Sequence, residues 1–206
     1  MESTGTALGH IGLRATVETY LSRPSIHPLF LCGEALEVLR DLPSERVDFC
    51  MTSPPYWGHR QYGALGMGLE DDYKHYISAL IEITGQVARI LKRGGSFWLN
   101  LGDAYVDKRL LGIPWRVALE LMDKQGWILR NSVVWHKVKG GPDNAKDKLR
   151  NVHEDIFHFV KSTRHYYNAE AIRSTPRTAR VVNGRWCLRP VYRECVISGK
   201  FSFRRP

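Results

Sequence analysis

The apolar run Val47-Asp48-Phe49-Cys50-Met51-Thr52 is followed at once by Ser53, Pro54 and Pro55, and that stop constrains the fold more than any other feature of the chain. Proline offers no N–H to a strand ladder and holds φ at about −65°. A buried strand over Val47–Thr52 must therefore end before Pro54, with a rigid exit leading to Tyr56 and Trp57. Upstream, Leu29–Cys32 reads as a short buried strand stopped by Gly33, with a helix from Glu34 to about Arg40. Downstream, a glycine-rich loop from Gly58 to Gly68 precedes Tyr73, Tyr76, Ile77, Leu80, Ile81, Val87, Ala88 and Leu91, a helical spacing over about five turns. Gly94-Gly95 closes that helix, and Ser96–Leu101 reads as a strand. A second helix is bounded by Pro114 near its start and Gly126 past its end, with Trp115, Ala118, Leu119 and Met122 as its apolar stripe. Ile128–His136 and Asp155–Lys161 read as two further strands flanking a polar loop, Lys137–Arg150. Residues 1–27 form an N-terminal extension with one short helix around Leu13–Leu21.

This alternation predicts an α/β fold whose sheet is covered by helices on both faces. In such sheets ligands bind outside the carboxyl ends of strands. Gly33-Glu34, Thr52–Tyr56 and Asn100–Asp103 all fall where predicted strands end, which places three candidate sites at one edge. The bulk properties agree with a single globular domain: 206 residues, 43% hydrophobic and 25% charged. No apolar run approaches the ~20 residues that span a bilayer, and no secretory leader pattern opens the chain. Cys32, Cys50, Cys187 and Cys195 show neither CxxC pairing nor zinc-ligand spacing, so no metal is expected and the reduced cytoplasm is the default compartment. The net charge of +9 is unevenly placed: residues 1–127 carry 13 Lys and Arg against 15 Asp and Glu, and residues 128–206 carry 17 against 6. A strongly basic second part suits a polyanion, most simply nucleic acid, or else makes a merely soluble basic surface.

Ser53-Pro54-Pro55-Tyr56 has a definite chemical capacity. Two prolines leave carbonyl oxygens pointing outward beside one hydroxyl and one aromatic face. The exocyclic amine of a nucleobase has a lone pair delocalised into its ring. Accepting its hydrogens on the Ser53 hydroxyl and the Pro54 carbonyl favours a tetrahedral nitrogen whose lone pair can attack a methyl group. Tyr56 offers a surface on which a flipped base can stack. The plain alternative is a rigid turn leaving a strand. Neither an HExxH helix, a P-loop nor a GxSxG elbow competes for the chemistry.

The run Gly33-Glu34-Ala35-Leu36-Glu37-Val38-Leu39, then Val47-Asp48 and Thr52–Tyr56, resembles the start of a site-specific DNA amino-methyltransferase with the catalytic half first. The resemblance continues through Tyr62-Gly63, Gly68-Leu69-Glu70, Phe97–Asp103, Gly112–Arg116, Trp135-His136-Lys137, His153-Glu154 and Tyr166-Tyr167, covering about residues 28–173. It implies a Rossmann-like, S-adenosylmethionine-dependent methyltransferase sheet, incomplete at the C-terminal side. It further implies double-stranded DNA as partner, and a methyl transfer needing no covalent intermediate. In that family a Ser at the first pocket position is commoner in enzymes acting on cytosine N4, and an Asp in those acting on adenine N6, so Ser53 favours cytosine. Ser53, Pro54, Pro55 and Tyr56 become the catalytic set. Gly33 and Glu34 would face the cofactor, unless Glu34 is an ordinary helix N-terminal acid. Asn100 and Asp103 would line the pocket rim, unless they form a turn. Trp57, Lys137, Lys139, Lys146, Lys148 and Arg150 would meet DNA, with a solvated charge cluster as the alternative for the basic residues.

The Phe-x-Gly-x-Gly cofactor loop of the family is not found. Residues 174–206 form a basic tail, and Gly184–Pro206 holds five arginines, two cysteines, a tryptophan and two prolines without a period. That mixture suggests a frameshift or truncation near Val182–Arg185 at the start of the target-recognition region, or else a genuine basic arm. Three further arrangements follow as alternatives: the adenine N6 enzyme, a non-catalytic DNA-binding or vestigial fragment, and half of a split enzyme with a complementing chain. A restriction endonuclease partner would accompany an intact enzyme.

Overall fold

The computed structural model describes residues 10–23, 27–58, 66–138 and 145–174, with short segments at 180–182, 185–187 and 191–192. The elements run α1 (His10–Leu21), α2 (Ala35–Asp41), β1 (Val47–Thr52), α3 (Tyr73–Ile90), β2 (Leu91–Leu101), the hairpin β3 (Tyr105–Val106) and β4 (Arg109–Leu110), α4 (Ile113–Gln125), β5 (Ile128–His136) and β6 (His153–Val160). Beyond a 3-10 turn at Glu170–Ile172, β7 (Arg173–Ser174), β8 (Arg180–Val182), β9 (Arg185–Cys187) and β10 (Val191–Tyr192) pair two by two, β7 with β10 and β8 with β9.

The central sheet has the order β1-β2-β6-β5. β1 and β2 are parallel, whereas β6 is antiparallel to both β2 and β5. Phe97, Leu99 and Leu101 of β2 and Phe157 and Phe159 of β6 point to one face, where Tyr76, Leu80 and Val87 of α3 and Val117, Ala118 and Leu121 of α4 meet them. The predicted α3 stripe is the buried face of that helix. In α4 the buried set is Ile113, Pro114, Val117, Ala118 and Leu121, while the expected Trp115 and Leu119 are exposed. Ala118 of the expected stripe is fully buried and Met122 packs against the core, so packing against α3 and the sheet turned the buried face towards Ile113, Val117 and Leu121 and away from Trp115 and Leu119. Pro114 in the first turn and Gly126 in the left-handed region do bound it, as predicted.

Three other expectations are corrected. Leu29–Cys32 is not a strand, and Phe30 is 87% exposed. A strand needs a hydrogen-bonded neighbour, and among the described residues nothing pairs with β1 on the side away from β2. For the same reason β1 is an edge strand rather than a buried one, with Phe49 and Met51 more than half exposed. Gly94-Gly95 lies inside β2 instead of closing α3, which ends at Ile90 with Leu91 as its extended C-cap. Gly95 has its own reason to be glycine, because a Cβ there would come within 2.8 Å of the Asp48 carbonyl on β1.

Among the described residues helices cover one face of this sheet, not both. On the other face Trp98 stacks on His158 with centroids 4.3 Å apart and planes 11° from parallel, and His165 meets His158 edge-on at 6.0 Å. Burial, with His165 and Arg130 nearby, pushes the His158 imidazole down to about 4, so it is neutral at pH 7. α2 is held from the side: the Arg89 guanidinium donates to the Leu39, Arg40 and Leu42 carbonyls, satisfying oxygens that the helix end leaves unpaired. No helix among the described residues is long and apolar enough to cross a membrane.

Candidate active site

Register decides what meets at the sheet edge. Thr52 of β1 pairs with Leu99 of β2, so the next residues, Ser53 and Asn100, arrive side by side. Asn100 in turn pairs with Ile156 of β6, which brings the start of β6 to the same edge. Because β6 runs antiparallel to β2, its second residue, Glu154, lies where β1 and β2 have their carboxyl ends. Lys137, one residue past β5, is fixed there by its backbone N–H donating to the Val152 carbonyl at 2.7 Å.

These residues form one hydrogen-bonded cluster. Ser53 Oγ and Tyr56 Oη are 2.9 Å apart, Tyr56 Oη donates to Glu154 Oε2 at 2.9 Å, and Asn100 Nδ2 donates to both Tyr56 Oη and Glu154 Oε2 at 2.9 Å. Lys137 Nζ pairs with Glu154 Oε1, and the Glu154 side chain is only 13% exposed. Burial opposes ionisation of this carboxyl, but hydrogen bonds from Lys137, Asn100 and Tyr56, with the Lys137 charge, outweigh it and hold the group below its ordinary value. Glu154 is therefore a carboxylate at neutral pH. Burial also pushes the Cys50 thiol on β1 up to about 11, so β1 offers no thiolate nucleophile at neutral pH.

The Tyr56 ring lies against Gly102: a Cβ at that position would sit 2.6 Å from its Cδ2 and 2.8 Å from its Cε2. With the hydroxyl tied to Glu154, the ring has no room to yield. Gly102→Ala is expected to cost about 1–3 kcal/mol, the range for overpacking, in a thermal or urea melt. The same change should weaken any function of Tyr56, and a melt superimposable on that of the parent would refute the tight fit.

The other sequence candidates are placed as follows. Glu34 is the N-cap of α2, its Oε2 accepting from the Leu36 and Glu37 amides at 2.8 and 3.1 Å. Gly33 packs close to Val38, with 2.8 Å between its imagined Cβ and the valine methyl. Asp103 is structural: its carboxylate accepts from the Ala104, Gly112 and Ile113 amides, and so caps α4, whose own N-cap Gly112 has no side chain to do it. Trp57 turns towards the core instead of outward. Its indole N–H donates to the Glu70 carbonyl at 2.8 Å and its ring meets Tyr73 edge-on. Lys137 is committed to Glu154, so the polar-loop cluster loses one of its expected outward cations. Lys148 Nζ sits 4.7 Å from the centroid of the Tyr105 ring, and with Lys108 and Lys146 it lines a cavity against the β3–β4 hairpin. Arg150 is exposed, and Lys139 lies outside the described residues. A second cavity of about 310 Å³ opens beside the cluster, bordered by Trp57, Asp103, Lys137, Lys148, His153 and Glu154.

Glu154 is the member that the strand-end reasoning missed. The rule of carboxyl ends passes over an antiparallel strand, and strand direction is not written in hydropathy. The signals for it were the His153-Glu154 pair within the family resemblance and an acid placed just before an apolar run, His153-Glu154-Asp155 before Ile156.

A family model described as DNA methylase matches residues 47–195. The chain belongs to this DNA methylase family. The methylase chain is similar to the type II methyltransferase M.Cfr9I of Citrobacter freundii, 36% identical over 171 residues, covering 68% of this chain and 57% of the relative. Its fold matches that of the PvuII DNA methyltransferase (cytosine-N4-specific) with a TM-score of 0.57 at 23% identity, covering 67% of this chain and 50% of that one. It also matches a putative DNA modification methylase from Thermus thermophilus complexed with S-adenosyl-L-methionine, with a TM-score of 0.52 at 24% identity, over 68% of this chain and 58% of that one. The methylase chain thus spans little more than half the length of M.Cfr9I. The family match begins at Val47, so the cluster of Ser53, Tyr56, Asn100, Lys137 and Glu154 lies wholly inside it.

Proposed function

We propose that this chain is the amine-holding region of an S-adenosylmethionine-dependent DNA methyltransferase that modifies the exocyclic amine of a base flipped from duplex DNA, with cytosine N4 as target. The observation that carries the reading is the Ser53–Tyr56–Asn100–Glu154 cluster at the end of β1 and β2, beside the Pro54-Pro55 exit. Ser53 Oγ and the Pro54 carbonyl are hydrogen-bond acceptors on a rigid backbone, and they suit an amine that must give up conjugation with its ring before it can attack. Tyr56, fixed by its hydroxyl and by Gly102, supplies a pre-set aromatic wall for the base. Lys146, Lys148 and Arg150 suit backbone phosphates of duplex DNA.

S-adenosylmethionine, when bound, supplies an electrophilic methyl group. Gly33 and Glu34 are the residues of this chain assigned to it, and they do not by themselves make a cradle, since Glu34 Oε2 is already occupied as the α2 cap. The described residues hold the acceptor side of the reaction. Ser53 in place of an acidic residue supports cytosine N4 over adenine N6, and a type II relative supports a companion restriction endonuclease.

The product identifies the reaction. The protein is incubated with duplex DNA and S-adenosylmethionine carrying a labelled methyl group, and the DNA is digested to nucleosides and weighed. N4-methylcytosine is the expected product. N6-methyladenine would overturn the choice of base. No labelled nucleoside, together with DNA binding that weakens steeply with salt, would make the chain a binding module rather than an enzyme.

A further inference from the structure

The 2.9 Å contact between Ser53 Oγ and Tyr56 Oη can be donated by either hydroxyl. The groups behind it remove the choice. Glu154 Oε2 lies 2.9 Å from Tyr56 Oη and 2.9 Å from Asn100 Nδ2, while Lys137 holds Oε1. An ionised carboxylate accepts and never donates. Tyr56 has a single proton, which therefore goes to Glu154. Asn100 directs its amide hydrogens at Glu154 and at the Tyr56 oxygen, 2.9 Å away. Its amide cannot be turned over, because Oδ1 would then face the carboxylate. The orientation holds even though it leaves the buried Oδ1 without a partner among the described residues. Ser53 can keep its contact with Tyr56 only by donating.

We infer that Glu154 is a positioning residue that sets the direction of a Ser53→Tyr56→Glu154 hydrogen-bond relay, so that Ser53 presents lone pairs rather than a proton to the incoming amine. The inference deepens the methyl-transfer reading and rests on it for the identity of the ligand. A neutral group at position 154 loses this control. A glutamine there can donate to the Tyr56 oxygen, which lets Tyr56 donate to Ser53 and lets the serine proton swing outward against the amine hydrogens. Lys137 serves the relay indirectly by keeping Glu154 charged, and this accounts for a lysine turned in from the basic loop.

The test compares the full chain with E154Q, S53A and the S53A/E154Q pair. Tyrosine labelled with ¹³C at Cζ reports the relay without any turnover, the Tyr56 signal being assigned by its loss in Y56F. In E154Q that signal is expected to move upfield, because the phenol no longer donates to a carboxylate, while the other tyrosines stay in place. In methyl-transfer assays E154Q is expected to lower kcat at least tenfold with KM for S-adenosylmethionine within twofold, and to add nothing further in the S53A background. An unmoved Tyr56 signal, or losses in the two single variants that multiply in the pair, overturns the relay. A moved Tyr56 signal in a protein that methylates no DNA upholds the relay and overturns the methyl-transfer reading instead. If E154Q melts early, Lys137→Met with Glu154→Gln leaves no unpaired charge and carries the same comparison.

Discussion

Ser53→Ala is expected to lower methyl transfer to duplex DNA about a hundredfold, the scale of removing one preorganised hydrogen bond at a reacting centre. Ser53 is exposed at the end of an edge strand, and among the described residues its side chain bonds only to Tyr56 and, at 3.5 Å, Asn100. Loss of such a hydroxyl changes folding stability by no more than about 0.5–1 kcal/mol. Activity and stability should therefore separate cleanly. In alanine's place the Pro54 carbonyl is the only acceptor left for the amine, the nitrogen stays conjugated with its ring, and attack slows. Initial rates with saturating DNA, beside thermal melts of both proteins, give the comparison. A parental rate in the alanine protein would remove Ser53 from the reaction.

The largest effect on folding is expected at Phe159. It is fully buried, and its ring lies 6.2 Å from that of Phe97, 6.1 Å from that of Trp127 and 6.0 Å from that of Phe157. These rings are the centre of the face that α3 and α4 cover. Phe159→Ala removes the burial of a large side chain and leaves a cavity among rigid rings that relax poorly, a loss of about 3–5 kcal/mol. That is a large part of the ~5–15 kcal/mol that usually holds a domain together. Urea melts followed by tryptophan fluorescence should show the midpoint falling, since Trp127 reports from the same cluster. A loss under about 1 kcal/mol would mean that β6 is not the central strand of the core.

The cluster itself was half legible. Ser53, Tyr56 and Asn100 could be placed at one edge because parallel strands bring their carboxyl ends together, and β1 and β2 are parallel. Glu154 could not, because it comes from β6, the one strand of the sheet that runs the other way, while Lys137, just past the carboxyl end of β5, looked like one more outward cation of the basic loop. Asp103 carries a second role that the strand end did not show. It borders the cavity beside the cluster, as a strand-end acid should, but its carboxylate is taken up by three backbone amides within its reach, since a buried N–H takes an acceptor wherever one is available. Trp57 borders the same cavity, yet its indole turns inward to Glu70 and Tyr73.

The sequence by itself determined several of the element ends. Pro54-Pro55 ended β1, Pro114 and Gly126 bounded α4, and the spacing from Tyr73 onward marked α3, all through constraints local to a few residues. Only the tertiary structure decided which side of its apolar face α4 buries, whether Leu29–Cys32 finds a strand partner, and which way β6 runs. Each of these depends on neighbours far along the chain, because a ladder or a core contact exists only when its second half arrives. The antiparallel course of β6 is what carries a carboxylate to the Pro-Pro exit, and so what fixes the direction in which Ser53 offers its proton.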